Sequence, residues 1–274
     1  MSRIAARFAE LRAKKRAGFV AFIAAGDPDY QTSLEILRGL PKAGADIIEL
    51  GMPFTDPMAD GPAVQAASLR ALRSGQTMAK TLALARTFRE GDDSTPIVLM
   101  GYYNPIYSYG PDRFTRDARD AGVDGLIIVD LPPEEDAELR GPMERAGLDL
   151  IRLAAPTSSD HRLKTVVDGA SGFIYYVAIT GVTGTKQVNP ADAAVAVKRI
   201  KAATSLPVAV GFGIKSEADA AAIAKVADAA VVGSALVAEI GRFVDRNGKI
   251  SPGSTEAVLG LVARLANAAH QTPR

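Results

Sequence analysis

The sequence predicts one α/β domain, an eight-stranded parallel βα (TIM) barrel with an extra N-terminal helix. Short apolar segments of strand type recur eight times along the 274 residues, with helical patterns between them. Strands that alternate with helices pair in parallel. Most of these strands are apolar at successive positions, which indicates that both of their faces are covered. Eight such units in about 230 residues favour a closed barrel over a doubly wound sheet.

The predicted strands can be read from the sequence in chain order. They are GFVAFIA near residue 20, ADIIELG near 48, PIVLMGY near 98, DGLIIVD near 127, LDLIRLA near 151, GFIYYVAI near 175, LPVAVGF near 209 and DAAVVGS near 231. About 50 residues separate the second strand from the third, which leaves room for a long loop and additional helices.

The segments between the strands carry helical patterns and helix caps. Examples are YQTSLEILRGLPKAG, PDRFTRDARDAG, PADAAVAVKRIKAA and SEADAAAIAKVA. Several begin with Ser, Asp or Pro and end near Gly, as the ends of helices prefer.

The N-terminal segment is basic, but Ile4, Phe8 and Leu11 fall at helical spacing. We therefore predict an amphipathic helix at about residues 2–15, packed on the domain, in preference to a targeting segment. The barrel is expected at about 17–268. Since no linker-like segment interrupts the chain, residues 1–274 are predicted to form a single domain.

The composition narrows the classes of ligand. Lys plus Arg (32) nearly balance Asp plus Glu (31), which argues against nucleic acid or an anionic membrane as partner and favours a small neutral or anionic molecule. The absence of cysteine and the presence of only two histidines argue against thiol nucleophiles, disulfides and thiolate or histidine-rich metal sites.

No apolar run reaches the ~18 residues needed to cross a bilayer. A cytoplasmic location is expected.

A βα barrel places its active site at the carboxyl ends of its strands. This rule selects polar residues that follow the first four strands, in order Asp27, Glu49 to Asp60, Tyr102 with Asn104, and Asp130. Tyr175 lies within the sixth strand.

Glycine clusters follow the last three strands, in TGVTGTK, GFGIKSEAD and VVGSAL. Glycine lets backbone amides approach a ligand, and the loops after the seventh and eighth strands are a recurrent phosphate site of this fold. We therefore predict a phosphate-binding site at Gly184, Gly213, Gly233 and Ser234. The alternative is that these glycines only form turns.

The chemistry predicted from the residues is proton transfer by carboxylates. None of the predicted strands contains a lysine for a Schiff base, and the histidines are poorly placed for a metal site. Glu49 is the best candidate, because burial would raise its pKa and let it act as acid and base. Asp130 is a similar candidate, because it also ends an apolar strand. The apolar pattern of the strands does not reveal which side chains point into the barrel. Asp60, taken alone, fits a loop-ordering residue better than a catalyst, and the alternative for Glu49 is a structural glutamate bonded to a neighbouring strand or helix.

At these residues the sequence resembles the α subunit family of tryptophan synthase. The matching motifs are ELGMPFTDPMADGPAVQAAS, MGYYNPIYSYG, DGLIIVDLPPEE, GFIYYVAITGVTGTK, VGFGIKS and VVGSALV. The resemblance implies retro-aldol cleavage of indole-3-glycerol phosphate to indole and glyceraldehyde 3-phosphate, a lyase reaction without a metal or organic cofactor in this subunit.

The resemblance also implies roles for individual residues. Glu49 matches the acid/base, and Asp60 matches the carboxylate that accepts the indole N–H. Substrate contacts are implied or expected for Phe22, Tyr102, Tyr175, Thr183 and Phe212, with Leu126 and Ile127 as further wall candidates. Gly184, Gly213, Gly233 and Ser234 match the phosphate-binding positions, and TGVTGTKQ matches a loop that closes over the site.

A partner is implied as well. The family pairs with a β subunit that carries pyridoxal phosphate and receives indole, in an αββα heterotetramer. The matching interface residues are Asp56, Pro57, Asn104 and Pro132. Two other functions stay open, an isomerase or epimerase acting on a sugar phosphate, and a barrel without catalysis that only activates the β subunit.

Overall fold

The computed structural model describes residues 2–178, 189–211, 213–246 and 248–272. Its eight strands form a closed barrel in chain order, and each strand pairs in parallel with the next, with the eighth paired to the first. The predicted fold class is confirmed.

The strands lie where the apolar segments predicted them. Their bounds are β1 Gly18–Ala24, β2 Ile47–Gly51, β3 Ile97–Gly101, β4 Gly125–Ile128, β5 Asp149–Ala154, β6 Ile174–Val177, β7 Val208–Gly211 and β8 Ala229–Val232.

Helices connect the strands and form the outer layer. Their bounds are α1 Arg3–Ala13, α2 Tyr30–Gly39, α3 Pro62–Arg73, α4 Met78–Arg89, α5 Tyr103–Tyr109, α6 Pro111–Asp120, α7 Ala137–Ala146, α8 Asp160–Val167, α9 Pro190–Ala203, α10 Glu217–Ala224, α11 Ser234–Arg242 and α12 Ser254–His270. Two of them, α3 and α4, fill the long connection between β2 and β3. Helix α2 ends before Pro41, which lacks the N–H that a longer helix would need.

Two apolar layers divide the strand residues between the inside and the outside of the barrel. The inner layer includes Val20, Ile47, Val98, Ile127, Ile151 and Val231. The outer layer packs against the helices and includes Phe19, Ile48, Leu99 and Leu126. Because neighbouring strand residues point to opposite faces, Glu49 lies on the same inner face as Ile47.

Helix α1 closes the amino-terminal end of the barrel. Ile4, Phe8 and Leu11 are buried in the inner layer, and the rings of Phe8 and Phe173 are 5.8 Å apart. The Ser2 hydroxyl accepts the Ala5 N–H and donates to Asp149. With this end closed, the interior opens at the carboxyl ends of the strands. None of the described helices is long and apolar enough to cross a membrane.

Candidate active site

A cavity of about 70 Å³ lies at the carboxyl end of the barrel. Its described lining combines two carboxyl groups, a lysine, a tyrosine, small residues and an apolar wall: Phe22, Glu49, Asp60, Val64, Met100, Tyr175, Gly213, Ile214, Lys215, Val231, Gly233 and Ser234. The residues come from six strands or the loops that follow them and from α3 and α11. Only the closed barrel brings them together.

Glu49 lies at the base of this cavity. In the barrel register it is level with Phe22 of β1 and Val98 of β3, and only 1% of its surface is exposed. Its Oε1 atom has no hydrogen-bond partner among the described residues. Burial raises the pKa of Glu49 to about 8. At neutral pH the carboxyl group therefore holds a proton that it can donate, and it can take a proton back.

Asp60 reaches the cavity from the loop after β2, just before α3. Burial raises its pKa to about 6, and a hydrogen bond from the Tyr102 hydroxyl opposes that rise. The same hydroxyl accepts the Ala59 N–H at 2.9 Å, so Tyr102 fixes the loop as well. At neutral pH Asp60 is mostly ionised while Glu49 is mostly neutral. The two acids can thus do different chemistry in one cavity.

Tyr175, on the inner face of β6, is buried next to Glu49. Burial, followed by the charge of Glu49, raises the pKa of the Tyr175 phenol well above its ordinary value, so the hydroxyl stays neutral. Space for it exists because residue 211 is glycine: a Cβ there would lie 2.1 Å from the Tyr175 hydroxyl oxygen.

The opposite side of the cavity offers backbone N–H groups. Gly213 has a φ of 73°, and Gly233 and Ser234 form the start of α11. A helix start presents unpaired N–H groups and a partial positive charge, which suits a phosphate group. At Gly233 a Cβ would lie 3.3 Å from Phe22, so a larger residue would crowd the cavity wall.

Four apolar residues of the wall were not selected from the sequence, namely Val64, Met100, Ile214 and Val231. Val64 belongs to α3, and no strand-end rule points to it. Met100 and Val231 lie on strands whose inward face cannot be read from successive apolar positions. Met100 also lines a smaller adjoining cavity with Phe22, Asp60, Val64 and Tyr102.

Some candidates from the sequence lie elsewhere. Leu126 packs outward against the helices and Ile127 belongs to the inner layer, and neither is part of the described wall. Asp130 is exposed and accepts the Tyr103 N–H at 2.8 Å, which makes it a helix cap rather than an equal of Glu49.

Asp27 is buried, but it forms an ion pair outside the cavity. Arg70 of α3 donates from Nε and Nη2 to its two carboxylate oxygens, at 2.7 and 2.8 Å, and also to the Val237 carbonyl of α11 at 3.2 Å. The pair ties the loop after β1 to the two helices that flank the cavity.

The residues expected at a protein interface lie in the connections that follow β2, β3 and β4, at the same end of the barrel, with Asn104 in helix α5. Asp56, Asn104 and Pro132 are exposed and Pro57 is half-buried. Two large apolar side chains near them are also open to solvent, Met58 in the loop after β2 (85% exposed) and Tyr107 in α5 (60%).

Three predicted site residues, Thr183, Gly184 and Phe212, lie outside the described residues, as does the segment 180–187 that was expected to close over the site. Within the described part of the chain, no group of three or more His, Asp or Glu side chains is placed to hold a metal ion.

Comparison with known proteins identifies the family. The family described as "Tryptophan synthase alpha chain" matches residues 8–265. Tryptophan synthase subunit alpha from Legionella pneumophila str. Paris is 37% identical, with 98% of each chain covered and a TM-score of 0.88. A chain of Mycobacterium tuberculosis tryptophan synthase is 36% identical, again over 98% of each chain, with a TM-score of 0.89. The chain therefore belongs to the tryptophan synthase alpha chain family, the alpha subunit of an enzyme of tryptophan biosynthesis.

Proposed function

We propose that this chain is a lyase that cleaves indole-3-glycerol phosphate into indole and glyceraldehyde 3-phosphate. The observation that carries the proposal is the pairing of two carboxyl groups in one cavity, Glu49 with a pKa of about 8 and Asp60 with a pKa of about 6. Membership of the family shows that the chain is the alpha subunit of an enzyme of tryptophan biosynthesis. The two carboxyl groups of the cavity support this particular reaction.

Cleavage begins with a proton transfer to the indole ring. The neutral Glu49 donates its proton to C3, the ring carbon that carries the glycerol phosphate chain. The ring becomes a cation, with positive charge developing at its N–H. Asp60, as a carboxylate, accepts that N–H and stabilises the charge.

Glu49 also takes part in breaking the carbon–carbon bond. Glu49, now ionised, removes the proton from the hydroxyl on the carbon attached to C3. The C3–carbon bond breaks, its electrons return to the ring, and the hydroxyl carbon becomes the aldehyde. Glu49 ends protonated, so no proton is gained or lost overall. A pKa of about 8 lets one group do both transfers near neutral pH.

The remaining residues bind and orient the substrate. Gly213, Gly233 and Ser234 would hold the phosphate group, with Gly184 a predicted fourth member. Phe22 and Tyr175 line the cavity, and Tyr102 holds Asp60. Thr183 and Phe212 stay predicted substrate contacts.

The family implies a β subunit as partner, and we propose an αββα heterotetramer in which pyridoxal phosphate belongs to the β subunit and this chain needs no cofactor. The interface would include Asp56, Pro57, Asn104 and Pro132. The exposed side chains of Met58, in the loop after β2, and Tyr107, in α5, support an apolar contact there.

The test follows indole release from indole-3-glycerol phosphate in EDTA, with and without a cognate β subunit and without serine. We expect metal-independent cleavage that rises with the β subunit. Glu49→Gln should lower the rate by roughly 100-fold or more, because the proton donor is lost. Glu144→Gln is the matched control, since Glu144 is exposed on α7.

Two results would contradict the proposal. If the Glu49→Gln variant cleaves the substrate as fast as the original protein, Glu49 is not the acid/base. No cleavage by folded protein under any condition would favour an isomerase acting on a sugar phosphate, or a barrel that only activates the β subunit.

A further inference from the structure

The phosphate side of the cavity includes one cationic side chain among the described residues, that of Lys215. It follows Gly213 by two positions on the loop between β7 and α10. The backbone N–H groups of the cavity carry only partial charges, and the two carboxyl groups in the described lining, those of Glu49 and Asp60, supply no positive charge. Among the described lining residues, Lys215 therefore offers a phosphate group its one full positive charge.

A second cavity begins where the first meets the surface. It measures about 620 Å³, lies against α3, α11 and α12, and shares both Lys215 and Ser234 with the catalytic cavity. Two further cations, Arg242 and Arg264, line it. We call the surface formed by Lys215, Arg242 and Arg264 the basic groove.

The acidic residues near the basic groove do not neutralise its positive charge. Arg242 lies 3.0 Å from Glu239 and Arg264 lies 3.7 Å from Glu217, and both arginines are largely exposed. Exposed pairs of this kind are weak, so the arginines can still contribute to the local field. The groove thus leads from solvent to the phosphate side of the cavity with a net positive lining.

The backbone of Lys215 is held in a fixed place. Its N–H and that of Ser216 both donate to the Asp219 carboxylate, at 3.1 and 3.0 Å, and the Ser216 hydroxyl accepts the Asp219 N–H at 3.2 Å. This capping box anchors the loop to α10. The long side chain of Lys215 therefore extends from a rigid base into the mouth of the cavity.

We propose that the Lys215 ammonium binds the phosphate group of the substrate on the outer side of the cradle formed by Gly213, Gly233 and Ser234, and that the basic groove guides the dianion to it. The inference rests on the proposed function for the identity of the substrate. The inferred site binds a phosphate monoester through Lys215, whichever bond of the substrate the enzyme breaks.

The test measures binding rather than cleavage. Glycerol 3-phosphate and inorganic phosphate are titrated into the full-length protein, with indole as an uncharged probe of the other side of the cavity. We expect Lys215→Met to weaken the affinity for both phosphates by about tenfold, because one charge-assisted hydrogen bond is lost. Lys215→Arg should retain most of the affinity, and indole binding should be unchanged in both variants.

Two controls separate this role from general charge and from folding. Lys225→Met removes an exposed lysine at the end of α10, outside the cavity, and should bind phosphates like the original protein. Raising the salt concentration should weaken phosphate binding, and less so in Lys215→Met, since screening acts on the charge that this variant lacks.

Several outcomes would overturn the inference. These are equal phosphate affinity in Lys215→Met and the original protein, an equal loss in Lys225→Met, a parallel loss of indole binding, or no phosphate binding by the original protein at millimolar concentrations. If phosphate binding depends on Lys215 while indole-3-glycerol phosphate is not cleaved, the proposed function fails and the phosphate site stands.

Discussion

The Tyr102 hydroxyl at the end of β3 joins Asp60 to the barrel. It accepts the Ala59 N–H at 2.9 Å and donates to the Asp60 carboxylate, whose pKa it lowers against the effect of burial. One phenol thus helps to hold an acid that comes from a long loop and opposes the rise of its pKa that burial causes.

Replacing Tyr102 by Phe should therefore raise the pKa of Asp60 above about 6 and free the loop. Because the proposed role of Asp60 requires a carboxylate, the acid limb of the rate–pH profile should move to higher pH, and the rate at neutral pH should fall by about tenfold. Tyr30→Phe, on α2, is the control. An unchanged acid limb in Tyr102→Phe would show that this hydroxyl does not tune Asp60.

Glu49 should make the protein less stable as the pH rises. Its pKa is about 8 in the folded chain against an ordinary 4.5, so between these values unfolding releases a proton. The free energy of unfolding should then fall by up to about 1.4 kcal/mol per pH unit from this group. Its stabilising contribution is complete below pH 4.5 and is lost by about pH 8.

Urea unfolding of the original protein and Glu49→Gln at several values between pH 5 and pH 8 tests this linkage. The variant should gain stability relative to the original protein as the pH rises. Glu144→Gln should follow the original protein throughout. Parallel curves for Glu49→Gln would mean that Glu49 titrates normally.

Substitution of Gly211, even by alanine, should destabilise the protein. In Gly211→Ala the new Cβ would lie 2.1 Å from the Tyr175 hydroxyl oxygen, so Tyr175 or the backbone must move. We expect a loss of about 1–3 kcal/mol in stability and a lower kcat/KM, measured by urea unfolding and by initial rates.

The control is Gly260→Ala, inside α12, where the nearest atom to a new Cβ is 3.8 Å away. That variant should be neutral or more stable by about 0.5–1 kcal/mol, because alanine favours helix. Equal effects of the two substitutions would contradict a specific contact with Tyr175.

The Asp27–Arg70 ion pair should be important for stability. Arg70→Met leaves an aspartate that is 1% exposed without its bidentate partner. Removing one member of such a pair costs about 3–5 kcal/mol. The double variant Asp27→Asn/Arg70→Met should recover part of the loss. Arg73→Met, an exposed arginine of the same helix, should cost little, and a similar cost at both positions would contradict this account.

The sequence predicted the parts of the site that follow from a strand-end rule or a motif. Glu49, Tyr175, Gly213, Gly233 and Ser234 lie at strand ends or inside strands, and all of them line the cavity. It could not rank Glu49 above Asp130, because both end apolar strands. The structure separates them: Glu49 is buried on the inner face of β2, and Asp130 is exposed and caps a helix.

The wall of the cavity shows the same limit. Leu126 and Ile127 are adjacent and equally apolar, yet they point to opposite sides of the barrel and neither reaches the cavity. Val64 enters the wall from α3, a helix that contacts β1 and α11.

By itself, the sequence determined the eight strands, their order in a parallel barrel and the end at which polar residues collect, since these follow from local apolar patterns and from the fixed direction of βα units. Tertiary structure alone decided which face of each strand is inward, which acid is buried and which is exposed, and that Tyr102 meets Asp60. These properties depend on strand register and on packing between distant segments, and the ionisation of Glu49 and Asp60 depends on the burial that this packing creates.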